Sequence, residues 1–146
     1  MPEPRIEGLS HMTFIVENLD GMEEILVTVL GARKIYDSED KTFSLSQERF
    51  FHVGATDIWI AIMQGPSLPS RSYNHIAFKI ADADLETYRQ RIEALGLDMR
   101  ETRPRVAGEG RSLYFHDRDN HLFELHTGTL PERLERYKQP PVESHS

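Results

Sequence analysis

The residues that could do chemistry are two histidines and one glutamate: His11, His75 and Glu124. Each histidine opens a β-prone run, His11-Met12-Thr13-Phe14-Ile15-Val16 and His75-Ile76-Ala77-Phe78-Lys79-Ile80, so the two hold equivalent positions in two halves of the chain. Strands related by a pseudo-twofold would aim both rings at one point, and divalent metals favour such convergent imidazoles. Glu124 lies in the apolar run Leu122-Phe123-Glu124-Leu125-His126. A carboxylate there is either half-exposed on an open sheet face or kept because a cation compensates its charge. The chain has no cysteine, so any metal must be held by nitrogen and oxygen.

Of the other histidines, His126 shares a strand face with Glu124 by alternation and is a candidate to support the ligands from behind. His116, His121 and His52 read as ordinary surface or packed residues. Closing the first half at Gly65 and the second at Gly128 sets Ala61 opposite Glu124. Alanine cannot bind a metal. Three protein ligands would leave coordination positions for water or substrate, as catalytic rather than structural sites do.

The elements that must position these groups follow from the repeat. The halves run from about Ile6 to Gly65 and from about Tyr73 to Gly128. The interval from His11 to His75 equals that from Asp20 to Asp84, and the interval from Gly31 to Gly96 is one longer. After each first strand comes a helix signal. Asp20 with Glu23 reads as a cap before the stripe Met22, Ile25, Leu26, Val29 and Leu30, and Asp82 or Asp84 precedes Leu85, Tyr88, Ile92 and Leu95. Short β-prone runs follow: 42–46, 49–53 and 58–63, then 99–101, 112–116 and 122–126. Each half therefore reads β-α-β-β-β, an α+β architecture of paired βαβββ modules. One such sheet has a face needing cover, so two modules must associate, within a chain or between chains. Thr129-Leu130-Pro131-Glu132 is a capping-box pattern that predicts a short helix to about Lys138, and disorder is expected over 142–146.

The bulk properties narrow the function classes. A chain of 146 residues with 38% hydrophobic content suits one domain, here 6–128 followed by the short helix and tail. A net charge of −7 without a dense basic run disfavours nucleic acid, although a pocket for a small anion is compatible with it. No apolar run is long enough to cross a membrane and the N-terminus lacks the pattern of a secretory leader. With no cysteine, a reducing cytoplasm is the expected compartment.

Several stretches together resemble a known family. Gly8-Leu9-Ser10-His11-Met12-Thr13, Phe43-Ser44-Leu45-Ser46 and Ser72-Tyr73-Asn74-His75-Ile76-Ala77-Phe78 are similar to the FosX-type fosfomycin epoxide hydrolases of the vicinal oxygen chelate (glyoxalase) superfamily. So are Arg103-Pro104-Arg105-Val106, Gly108-Glu109-Gly110-Arg111-Ser112 and Asn120-His121-Leu122-Phe123-Glu124-Leu125-His126-Thr127-Gly128.

The resemblance implies a homodimer of paired modules that binds Mn(II) through His11, His75 and Glu124, the first histidine coming from one chain and the other two ligands from its partner. It implies that Glu48 acts as general base on water, a role its setting between Gln47 and Arg49 would not suggest. It also implies phosphonate contacts from Ser112, Tyr114 and Arg133, with Thr13 and Trp59 lining the site. Read without it, Trp59 is a packing residue and Arg133 a surface helix charge. The activity so implied is hydration of the epoxide of fosfomycin. Glu48 and the loop 108–111 favour water over a thiol as the nucleophile; a thiol transferase with the same triad, an Fe(II) oxygenase and a non-catalytic drug-binding protein are the alternatives.

Overall fold

The computed structural model describes residues 3–41, 45–102 and 110–138. They form two compact units, one ending at Ser67 and the other beginning at Leu68. In the first unit, β1 (His11–Val16) leads into α1 (Leu19–Thr28), followed by β2 (Arg33–Asp37), β3 (Glu48–His52) and β4 (Trp59–Gln64). The sheet order is β1-β4-β3-β2, with β1 and β4 parallel and the other pairs antiparallel. The second unit repeats this with β5 (His75–Lys79), a 3-10 turn (Asp82–Asp84), α2 (Leu85–Ala94), β6 (Met99–Thr102), β7 (Ser112–His116) and β8 (Leu122–His126). Its order, β5-β8-β7-β6, has the same parallel and antiparallel pairs. A last helix, α3 (Leu130–Tyr137), closes the described chain.

Alternation along the strands decides what each sheet face carries. In the first unit Val16, Phe51, Ile60 and Ile62 are buried with Met22, Ile25 and Leu26 of α1. Each of these side chains contributes about 1.5–3 kcal/mol by leaving water. In the second unit Leu113, Phe115, Phe123 and Leu125 are buried with Leu85 and Ile92 of α2. The opposite faces are thereby left for the polar residues. His11, Thr13, Glu48 and Trp59 share one of them, and His75, Ser112, Tyr114, Glu124 and His126 the other, as the strand registers require.

Both helices stop at the expected glycines, Gly31 (φ 66°) and Gly96 (φ 65°), where a left-handed residue ends the turn. Two expectations are corrected. The cap of α1 is Asn18, whose side chain accepts from the Gly21 amide, while Asp20 pairs with Arg49 at 2.9 Å. The strand after α1 is 33–37 rather than 42–46: Leu45 and Ser46 lie in a bend, and 42–44 fall outside the described residues. This edge strand carries Arg33, Lys34 and Asp37 and has a register irregularity between Lys34 and Tyr36, which together blur its alternation. In α3 Thr129 is the N-cap as the sequence predicts, its Oγ1 accepting from the Glu132 amide, while the Glu132 carboxylate accepts from that hydroxyl. The tail 142–146 and most of the 103–111 loop lie outside the described residues. Among those described, no helix is long and apolar enough to cross a membrane.

Candidate metal half-site

In the second unit, β5 and β8 run parallel with Ala77 opposite Glu124, which sets the carboxylate beside the imidazole two residues earlier on β5. His75 Nε2 lies 3.0 Å from Glu124 Oε1. Its other nitrogen, Nδ1, is 2.7 Å from the Tyr73 carbonyl oxygen, an acceptor only, so Nδ1 carries the hydrogen and donates it. In the neutral ring Nε2 is then a lone pair facing a carboxylate oxygen. Two acceptors at that distance repel unless a cation, a proton on Nε2 or a metal ion, stands between them. Donors bound at right angles to one ion at about 2.1–2.2 Å are separated by about 3 Å. The pair therefore fits a divalent metal, and its nitrogen and oxygen atoms suit Mn(II) and similar ions.

The second oxygen of Glu124 is held elsewhere. Ser112 Oγ donates to Oε2 at 2.6 Å, and His126 Nδ1 lies 2.7 Å from the same hydroxyl. Glu124 is 4% exposed, as is Ser112. Tyr114 completes the surroundings, its ring edge against His75 and its hydroxyl 3.1 Å from that of Tyr73. Burial, the bond to Tyr73 and the Glu124 charge push the Tyr114 phenol well above its usual range, so it stays a neutral donor.

A cavity of about 310 Å³ opens on this group, lined by Ser112, Tyr114, Glu124 and His126 from the sheet and by Glu132, Arg133 and Arg136 from α3. The capped helix thus brings two guanidinium-bearing residues to the same cavity as the carboxylate. A second cavity of about 480 Å³ lies at the other end of β7, around His116, Arg71 and Arg100.

The first unit holds the remaining expected residues. His11 stacks on Trp59, its register partner in β4, with ring centroids 4.0 Å apart and planes 13° from parallel. Ser10 Oγ lies 3.0 Å from His11 Nδ1. Trp59 also packs on Phe50. Thr13 sits opposite Ala61, and Glu48 opposite Met63, its backbone exchanging hydrogen bonds with Ser38. Ala61 and Glu124 occupy corresponding register positions, each opposite the residue two beyond its histidine. Among the described residues no group of three or more His, Asp or Glu side chains stands ready to hold a metal, and the second unit brings together two candidate donors, His75 and Glu124.

Sequence reasoning overlooked Tyr73 and the glycines Gly110 and Gly128. The contribution of Tyr73 to His75 is made by its carbonyl, and no residue type signals that.

A doubled βαβββ chain with a His/Glu half-site defines a class of metalloproteins, and the glyoxalase family model (Glyoxalase/Bleomycin resistance protein/Dioxygenase superfamily) matches residues 8–125. The fosfomycin resistance protein FosX of Mesorhizobium japonicum is 65% identical over 90% of this chain and 93% of its own. Two crystal structures of FosX from Listeria monocytogenes, one with Mn(II) and sulfate and one of a Glu-to-Gln variant with Mn(II) and 1S,2S-dihydroxypropylphosphonic acid, both align at a TM-score of 0.79. They are 51% and 50% identical, each covering 91% of this chain and 99% of the other. The chain belongs to the FosX family of that superfamily.

Proposed function

We propose that the chain is a Mn(II)-dependent hydrolase that adds water to the epoxide of fosfomycin, and that it acts in the cytoplasm as a homodimer. The observation that carries this reading is the facing of His75 Nε2 and Glu124 Oε1 at 3.0 Å, with Nδ1 already committed to a carbonyl. His11 of a second copy would supply the third ligand. Bound there, Mn(II) supplies Lewis-acid polarisation of the epoxide oxygen and charge neutralisation for the phosphonate. The diol found with Mn(II) in the Listeria monocytogenes relative is what water addition to such an epoxide yields, which supports hydration over thiol transfer.

The chain's own residues would then do the rest. Arg133, on the α3 face of the cavity, would hold the phosphonate by charge-assisted hydrogen bonds and fix its orientation. Tyr114 stays a neutral donor beside it. The Ser112 hydroxyl, predicted as a phosphonate contact, is occupied by Glu124 and His126 and would reach the substrate only by giving up one of them. Glu48 would take the proton from the water that attacks the epoxide carbon opposite the breaking C–O bond, and Thr13 and Trp59 would line its side of the pocket. Phosphorus NMR of protein, Mn(II) and fosfomycin without thiol tests the reading, with the diol phosphonate as the expected product. A product that forms only with added thiol would overturn hydration in favour of the transferase. Tight binding without turnover would favour a drug-sequestering role, and oxygen consumption with a catechol an Fe(II) oxygenase.

A further inference from the structure

The Ser112 hydroxyl has one hydrogen and two close neighbours, Glu124 Oε2 at 2.6 Å and His126 Nδ1 at 2.7 Å. The carboxylate is an acceptor only, so the hydroxyl hydrogen belongs to Glu124. The histidine must then donate. If Nδ1 carried a lone pair, two acceptors would compete for one hydrogen at distances where the loser is repelled. His126 therefore holds its hydrogen on Nδ1, and the order of donation runs from His126 to Ser112 to Glu124 Oε2, while Oε1 is left toward His75.

The outer edge of the ring is crowded by the backbone. A Cβ placed on Gly128 would stand 2.8 Å from His126 Nε2, and one on Gly110 would stand 2.8 Å from His126 Cε1. Gly128 thus lets the backbone lie against the imidazole, and Gly110 lets its own segment lie against Gly128, whose backbone a Cβ there would meet at 2.6 Å. A ring clamped from behind and committed in front is built to hold a direction rather than to bind a ligand of its own.

We propose that His126 is a positioning residue for the metal-ligating carboxylate, acting through Ser112, with Gly110 and Gly128 as its backstop. This rests on the Mn(II) reading of the His75–Glu124 pair and adds to it a reason for Glu124 to offer one oxygen. Outer partners of metal ligands typically contribute about 10–100-fold in affinity.

The test is Mn(II) titration of the full chain, read by the EPR signal of free ion, with circular dichroism to confirm folding. His126→Leu and Ser112→Ala are each expected to weaken Mn(II) by about 10–100-fold. The double variant should lose little more than Ser112→Ala alone, because the short contacts run through the hydroxyl and His126 Nδ1 stands 3.4 Å from Glu124 Oε2 itself. His126→Asn, whose amide N–H can stand in for Nδ1–H, should recover most of the affinity. If His126→Leu does not fold, Gly128→Ala carries the test, since it keeps the imidazole and displaces it; the expected result is again weaker Mn(II). Parent-like affinity in His126→Leu or Gly128→Ala, or additive losses in the double variant, would overturn the relay. Glu124→Ala separates this from the wider reading. If it binds Mn(II) as the parent does, the metal site itself is wrong; if it alone loses Mn(II), only the relay falls.

Discussion

Replacing Glu124 by Gln should make the metal-free protein more stable while removing its response to Mn(II). In the parent, a carboxylate that is 4% exposed points one oxygen at the lone pair of His75 Nε2, 3.0 Å away. The glutamine amide has nearly the same shape, keeps an oxygen for the Ser112 hydroxyl and can present an N–H to that lone pair. With the His75 ring neutral, a repulsive contact becomes a hydrogen bond, worth about 1 kcal/mol net, and a buried charge is removed. At roughly 2–4 °C per kcal/mol for a chain near this size, the metal-free melting temperature should rise by about 3 °C. The parent at a hundredfold excess of Mn(II) over Kd gains about 2.7 kcal/mol from binding, or roughly 5–11 °C. The variant should gain almost none of this. Differential scanning calorimetry of both proteins, stripped and reloaded, measures all four values. A metal-free variant that melts below the parent and still shifts upward fully with Mn(II) would refute the reasoning.

Glu48→Gln should bind Mn(II) normally and lose about a hundredfold to ten-thousandfold in diol formation, the usual range for general-base assistance; near-normal turnover would remove Glu48 from the reaction. Burial and the nearby Arg71 charge hold His116 below the usual imidazole value, so the unfolded chain takes up a proton near pH 6.5 that the folded state resists. Its contribution is therefore complete above about pH 6.5 and lost as pH falls through the depressed folded value, and His116→Gln should flatten that decline in urea titrations between pH 7.5 and 5. Arg49 joins Asp20, Glu23 and Asp37 from a side chain that is 16% exposed. Arg49→Met should cost about 2 kcal/mol in urea unfolding by leaving Glu23 and Asp37 to share Lys34 alone and Asp20 without Arg49, and an unchanged midpoint would show those pairs to be without net effect.

The approach of His75 to Glu124 was legible because the repeat ties His11 to His75 and Ala61 to Glu124, and the observed registers place those pairs at corresponding positions. The helix ends were legible for a local reason, the left-handed residues Gly31 and Gly96. The cap of α1 was not, because Asn18 and Asp20 are both good caps and only the tertiary pairing of Asp20 with Arg49 chooses between them. The strand 33–37 was hidden by its own charges, which an exposed edge tolerates and a pattern search discounts. The resemblance assigns Ser112 to the phosphonate, and no local pattern announces its hydrogen bonds to Glu124 and His126; these follow from the pairing of β7 with β8, which brings His126 directly opposite. The stacking of His11 on Trp59 likewise depends on the parallel register of β1 and β4, which no local pattern reveals.

The matching registers of the two units also bear on how such a protein can change over generations. Glu48 corresponds to Ser112, Met63 to His126 and Ala61 to Glu124. An assembly of identical single units would have to mutate every one of these positions twice over, acid with acid and hydroxyl with hydroxyl. Joining two copies in one gene removes that obligation. One copy can carry a carboxylate at the position where its sibling buries a hydroxyl, so the doubled chain can evolve a lopsided centre from a scaffold that remains even-handed.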